Sequence, residues 1–309
     1  MEKICPTCAS PFSPEQNVCP NDGTELTARG DVSDPFIGLV IDERLKVERY
    51  LGAGGMGHVY IARQLDATQR TVAVKLIRHE LMTSEDVEKR FFREIRTLAN
   101  SAHSNVVGVF FSGHAEVADK RIPYFAMELL DGKPLDEVLA EKRTLPLDDA
   151  CKVTLAILRG LASLHRSGII HRDLKPANVM LLDEAAGEVK ILDFGLARAK
   201  EVDQESKITS SRLVIGTPLY MSPEQMMGWD LDERSDLYAV GVILHELVTG
   251  KRPRRDGQGT PVPPGEFLAQ FNLPASLVGL ITDLLAFDRE QRPATAAPRE
   301  ASVAMVASS

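Results

Sequence analysis

The apolar pattern of this 309-residue chain changes period near residue 130, and that change limits what the chain can fold into. Up to Leu129 the apolar residues fall in short alternating runs at Tyr50–Arg63, Thr71–Ile77, Val106–Gly113 and Tyr124–Leu129, which predict strands. One stretch with helical spacing, Ser84–Asn100, interrupts them. From Leu135 onward the spacing is helical, at Pro134–Ala140, Asp148–Ser167, Glu233–Thr249 and Leu277–Ala286, with Asp148 and Ser276 as expected N-caps. The expected class is α+β: a mostly antiparallel sheet carrying one helix, followed by an α-helical lobe.

Charge and cysteine usage narrow the function. A formal net charge of -8 argues against a nucleic-acid binder, because affinity for the phosphate backbone needs clustered Lys and Arg. No run approaches the roughly 18 apolar residues of a membrane-spanning helix, and the start lacks the apolar core of a secretory signal. Four cysteines are too few for a disulfide framework in a chain of this length, which fits a reducing compartment; a cytoplasmic protein is expected.

Gly52-Ala53-Gly54-Gly55-Met56-Gly57-His58-Val59 has GxGxxGxV spacing between two strand-like runs. Glycines there let backbone N–H groups approach phosphate oxygens closely. The same glycines ahead of a helix would mark a dinucleotide fold, but Val59-Tyr60-Ile61-Ala62 is strand-like. A glycine-rich hairpin turn is the plain alternative. Val72-Ala73-Val74-Lys75 weighs against both, since an apolar strand ending in lysine places an ammonium where it needs an anion. A triphosphate could supply it, as could Glu94, which is flanked by apolar positions in the helical stretch.

His171-Arg172-Asp173-Leu174-Lys175-Pro176-Ala177-Asn178 is followed, fifteen residues beyond Asn178, by Asp193-Phe194-Gly195. With the glycine loop and Lys75 in this order, the sequence resembles the eukaryotic-like protein kinase family from about Leu45 to Arg292, and so implies a bilobal fold with a β-rich N-lobe and an α-helical C-lobe. The resemblance implies that Asp173 orients the acceptor hydroxyl and takes its proton, and that Lys175 balances charge on the transferred phosphoryl group. It also has Asn178 and Asp193 hold magnesium, while Lys75, paired with Glu94, contacts the ATP phosphates. By the same resemblance Gly52, Ala53, Gly54, Gly55, Met56 and Gly57 cover the phosphates. Val59, Ala73 and Met180 enclose the adenine, Met127 guards the back pocket, and the hinge runs through Glu128, Leu129 and Leu130. Core packing is the competing reading for these apolar residues.

Gly216-Thr217-Pro218-Leu219-Tyr220-Met221-Ser222-Pro223-Glu224 resembles the acceptor-docking segment, with Thr217 contacting Asp173 and Lys175. Asp236 is similar to the helix aspartate that braces the catalytic loop, and Glu224 is expected to pair with Arg292. Lys175 and Gly216-Thr217 imply serine/threonine rather than tyrosine acceptors. Gly-Gly-Met-Gly-His-Val-Tyr and Ser-Pro-Glu-Gln are most similar to the bacterial branch. The hydroxyl cluster Ser206–Ser211 makes Thr209 and Ser211 expected phosphosites, filled by self-association and autophosphorylation, with Arg172 gripping the phosphate.

Ahead of this region, Cys5-Pro6-Thr7-Cys8 and Cys19-Pro20-Asn21-Asp22-Gly23 look like two knuckles of a zinc ribbon with Asp22 in place of the fourth cysteine. Some thirty residues cannot bury a core without a metal or crosslink, and a tail without metal is the alternative. Cys151 reads as an ordinary core thiol. The expected organisation is a zinc-ribbon-like module at 1–30, a linker at 31–44, a kinase domain at 45–293 and a tail at 294–309, disordered or truncated. Lys251-Arg252-Pro253-Arg254 departs from the family, and the stretch between Gly250 and Leu277 is too short for a full extra helix. Two rivals are a pseudokinase scaffold, disfavoured because no catalytic or metal-binding residue is lost, and a small-molecule kinase, disfavoured by the Gly216–Glu224 segment.

Overall fold

The computed structural model describes residues 3–4, 11–13, 15–19, 23, 25–28, 34–54, 56–78, 81–117, 120–183, 187–193, 219–256 and 260–296. It divides into two units, Met1–Thr83 with Phe110–Leu129 and Ser84–Val109 with Leu130–Ser309.

In the first unit, β1 (Lys3–Ile4), β2 (Pro11–Phe12) and β3 (Thr27–Ala28) form a small antiparallel sheet in the order β2-β1-β3. Cys19 and Leu26 are buried, and the Gly23 N–H donates to the Cys19 carbonyl at 2.9 Å across a turn in which Gly23 has φ +74°. That left-handed turn suits glycine.

The larger sheet has the order β4-β5-β6-β7-β9-β8, from β4 (Val40–Ile41), β5 (Leu45–Gly54), β6 (Gly57–Gln64), β7 (Thr71–Ile77), β8 (Val109–Val117) and β9 (Lys120–Glu128). Strand alternation sends Tyr60, Val72, Val74, Leu76, Tyr124 and Ala126 to one face, where they pack with Phe36, Ile41, Leu45 and Val47. Residues 34–44, expected as linker, are thus built into this unit. Phe36 and Ile41 join its core, β4 pairs with β5, the Tyr60 hydroxyl donates to Asp34 at 3.0 Å, and the Tyr124 hydroxyl donates to Asp42 at 2.8 Å. The polar residues that look like linker in sequence are acceptors for buried tyrosine hydroxyls.

The second unit begins with α1 (Glu85–Ala99), capped by Ser84, whose hydroxyl accepts from the Val87 N–H. Glu85, Asp86 and Glu88 in its first turn complement the helix dipole. There follow β10 (Lys133–Pro134), α2 (Leu135–Lys142), α3 (Leu147–Arg166), β11 (Val179–Asp183), β12 (Glu188–Ile191), α4 (Pro223–Met227), α5 (Arg234–Thr249), α6 (Gly265–Leu268) and α7 (Ala275–Leu284). Strands β10, β11 and β12 form a small antiparallel sheet. Helix α3 packs on β12 and α5. At Gly160 a side chain would come within 2.8 Å of the Asn105 carbonyl oxygen, so glycine permits the close approach.

Helices α3 and α7 start one residue after Pro146 and Pro274, which act as N-caps without a side-chain bond; Asp148 and Ser276 lie inside the helices. Proline fixes φ and its extended ψ ends the preceding segment, overriding the local cap signal. The strand expected from Val106 starts at Val109, because the Val107 N–H instead donates to the Ile191 carbonyl at 3.0 Å. Between α5 and α7 the only helix among the described residues is the single turn α6. No helix of the described residues is long and apolar enough to cross a membrane.

Candidate active site

The strand registers gather the residues expected to hold nucleotide. Val59 lies opposite Lys75, which lies opposite Phe125, while Ile61, Ala73 and Met127 form the next cross-strand row. Opposed residues share a face, so Val59, Ala73, Lys75 and Met127 all project from the face opposite the core cluster. Lys75 is 1% exposed. Gly57 pairs with Ile77, and a side chain there would run into the Leu76 carbonyl, a backbone clash that only glycine avoids. Gly52 is a different case, since a side chain there would meet nothing within 4 Å. Ala53 pairs with His58 and Gly54 with Gly57 across the hairpin whose turn carries Met56; Gly55 lies outside the described residues. Glu128 ends β9, and Leu130 begins the second unit's long segment.

In the second unit the loop expected to be catalytic is assembled by a network of hydrogen bonds. Lys175 Nζ donates to Asp173 Oδ2 at 3.0 Å, and Asn178 Nδ2 donates to the Asp173 carbonyl at 2.8 Å and to Oδ2 at 3.3 Å. With its NH2 group committed to Asp173, the amide oxygen is the atom that Asn178 could offer to a metal. The Leu192 N–H donates to the Asn178 carbonyl at 2.8 Å, and the Leu192 carbonyl bonds His171 Nε2 at 2.8 Å. Asp193, with φ +49°, comes next in the chain, so this backbone pairing places it beside Asn178. One amide oxygen and one carboxylate fit magnesium, which takes hard oxygen ligands and completes its shell with phosphate and water. Met180 on β11 faces Lys190 in the sheet register.

The Asp236 carboxylate holds the loop from below. It accepts from the His171 N–H at 2.8 Å and the Arg172 N–H at 2.9 Å, and bonds His165 Nε2 at 2.8 Å. Burial pushes its pKa up, but the hydrogen bond and charge of His165, with help from His171, outweigh that and hold it below the ordinary aspartate value. His165 was not legible as a site residue: it is one polar position on a mostly buried helix, and its partner is 71 residues away. The Arg172 Nε is buried with no acceptor among the described residues. Glu94, expected to pair with Lys75, is half-buried on α1; burial raises its carboxyl pKa, and the charges of Arg172 and Arg90 oppose that.

The Glu224–Arg292 pair expected from the sequence is present and bidentate, at 2.6 and 2.8 Å. The Ser235 hydroxyl adds a bond to the same carboxylate at 2.7 Å. Cys151 is buried, with its pKa pushed up to about 11 by burial and Asp148, which suits an unreactive thiol. Of the expected zinc ligands, Cys5, Cys8 and Asp22 lie outside the described residues, and the described ones contain no cluster of three or more His, Cys, Asp or Glu side chains. Thr209, Ser211 and Thr217 also lie outside them.

One unit carries a six-stranded sheet and the other is mainly helical and holds the aspartate-lysine-asparagine loop, the features that the resemblance in the sequence implies. Residues 45–301 match the protein kinase domain family, and the chain belongs to it. It is 38% identical over 252 residues to the probable serine/threonine-protein kinase PknB of Corynebacterium glutamicum, covering 78% of this chain and 38% of that protein. It is 36% identical over 278 residues to the serine/threonine-protein kinase pkn3 of Myxococcus xanthus, covering 85% of this chain and 50% of that one. The kinase domain of Mycobacterium tuberculosis PknI, solved as a single-residue variant, matches with a TM-score of 0.65 at 26% identity, covering 87% of this chain and 96% of that one. The chain thus spans half or less of the length of these curated relatives.

Proposed function

We propose that this chain transfers the γ-phosphoryl group of ATP to serine and threonine hydroxyls of proteins. The observation that carries this is the Asp173 carboxylate, held by Lys175 and Asn178 on a backbone locked by Asp236. Asp173 orients the acceptor hydroxyl and takes its proton as the oxygen bonds to the γ-phosphorus, while the bond from that phosphorus to the β–γ bridging oxygen breaks and ADP leaves. Lys175 offsets negative charge on the phosphoryl group, and Thr217 helps to hold both side chains. Lys75 and the glycine loop from Gly52 to Gly57 bind the phosphates, with Lys75 oriented by Glu94. Val59, Ala73, Met127, Glu128, Leu130 and Met180 receive the adenine. Asn178 and Asp193 would hold magnesium, which would neutralise phosphate charge when bound. Such a reaction forms little covalent chemistry with protein, so positioning and charge supply most of the acceleration. The test is the initial rate of phosphate transfer to a protein acceptor. Asp173→Asn is expected to lose about two orders of magnitude or more while keeping ATP binding; transfer at the wild-type rate would overturn the assignment.

Control by autophosphorylation at Thr209 and Ser211, through self-association, belongs to the same reading, supported by the buried Arg172 Nε, which has no acceptor among the described residues. The kinase domain is read as 45–293 with a tail at 294–309, in a cytoplasmic protein without a nucleic-acid partner. Residues 1–30 are read as a zinc-binding module using Cys5, Cys8, Cys19 and Asp22. The burial of Cys19 and the glycine turn that follows it support that reading.

A further inference from the structure

Arg172, the residue before Asp173, has φ +64° although it is not glycine. A left-handed conformation costs an ordinary L-residue about 1–2 kcal/mol and persists only where the surroundings enforce it. One enforcing contact is already described, the Asp236 carboxylate on the N–H groups of His171 and Arg172. It fixes the peptide on the N-terminal side of Arg172. The peptide on its other side, which joins Arg172 to Asp173, needs its own restraint, because rotation of that plane swings the Asp173 side chain.

That restraint comes from Gln225. Its Nε2 donates to the Arg172 carbonyl at 2.6 Å, while the Asp173 N–H, on the opposite edge of the same peptide, donates to the His171 carbonyl at 2.8 Å. The other end of the Gln225 carboxamide accepts from the Ser222 N–H at 3.0 Å, and the Ser222 hydroxyl accepts from the Gln225 N–H at 3.3 Å. This is a reciprocal capping box at the start of α4, with Ser222 fully buried. A single planar amide therefore spans from the end of the acceptor-docking segment to the peptide bond of Asp173.

We propose that Gln225 is a positioning residue for phosphoryl transfer, fixing the Arg172–Asp173 peptide so that the Asp173 carboxylate meets the acceptor hydroxyl. Its role is to transmit the position of Ser222, and with it the docking segment, to the catalytic loop. The inference rests on the proposed kinase reading, and it concerns a residue outside the sets proposed for nucleotide and acceptor.

Two variants separate this role from simple capping. Gln225→Glu keeps an acceptor for the Ser222 N–H, and glutamate serves a capping box as well as glutamine, but its carboxylate cannot donate to the Arg172 carbonyl. Gln225→Met fills the space and neither donates nor accepts. For Gln225→Glu the expected result is a kcat for protein phosphorylation lowered about tenfold or more, with KM for ATP and the melting temperature near wild type. The deficit should shrink as pH is lowered from about 8 to about 5.5, because a protonated carboxyl donates again. Gln225→Met should lose kcat to a similar degree with no such recovery. If wild-type protein transfers phosphate and Gln225→Glu matches its kcat, or its deficit is the same across that pH range, the positioning role is overturned while the kinase reading stands. A wild-type protein that transfers no phosphate would fail the kinase reading itself.

Discussion

The Arg292 guanidinium has five N–H groups and the structure uses all of them. Nε donates to the Ala286 carbonyl at 2.8 Å, Nη1 to Glu224 Oε1 at 2.6 Å and the Arg234 carbonyl at 3.1 Å, and Nη2 to Glu224 Oε2 at 2.8 Å and the Phe287 carbonyl at 3.2 Å. Both side chains are buried, so Arg292→Leu strands a carboxylate away from water. Breaking one side of such a pair costs about 3–5 kcal/mol, which for a unit of this size lowers the melting temperature by about 6–20 °C. The loss depends on pH. Burial pushes the Glu224 carboxyl up, but hydrogen bonds from Arg292 and Ser235 outweigh it and hold its pKa below the ordinary value. A depressed carboxylate contributes stability above its unfolded pKa, about 4.3, and that contribution is lost as pH falls through the folded value. Without Arg292 burial dominates, Glu224 takes up a proton on the way down from neutral pH, and the penalty is relieved. The gap in melting temperature between wild type and Arg292→Leu is therefore expected to be wide near pH 8 and narrower near pH 4.5. Adding Glu224→Gln to Arg292→Leu should restore part of the loss, because it removes the unpaired charge. Thermal melts monitored by circular dichroism measure all of this. A loss under about 2 °C, or an equal loss at both pH values, would refute the reasoning.

Lys75→Met and Asp193→Asn are each expected to lower phosphoryl transfer by about two orders of magnitude or more with the fold intact, measured as initial rates beside circular dichroism. Incubation with ATP should place phosphate between Asp193 and Glu224. A Thr209→Ala, Ser211→Ala double variant should then work below the wild-type rate, which mass spectrometry and kinetics together decide. Metal analysis of protein purified without added zinc should find about one zinc per chain, lost when Cys5, Cys8 and Cys19 become serine.

Much of the architecture was legible because its signals are local. The alternation of Thr71–Ile77 fixed β7 to the residue, and the helical spacing of Ser84–Asn100 marked α1. The run from His171 to Asn178 was read through its resemblance to the kinase family, and the structure brings Asp173, Lys175 and Asn178 together in one hydrogen-bonded loop. What stayed hidden depends on partners far along the chain. Asp34 and Asp42 read as linker because their tyrosine partners lie 26 and 82 residues away. Asp148 and Ser276 looked like caps, but the prolines just ahead of them fix where the helices begin. The left-handed backbone at Arg172 leaves no trace in residue type, because it is imposed by Asp236 and Gln225.

Transfer of phosphate from ATP to serine and threonine of a protein is measured by incubating the wild-type chain with γ-labelled ATP and magnesium beside a protein acceptor, then hydrolysing the labelled protein and separating its phosphoamino acids. Label on phosphoserine and phosphothreonine, absent when magnesium is chelated and absent with Asp173→Asn, is the expected result. Nucleotide binding without label in protein, or label confined to tyrosine, would contradict it.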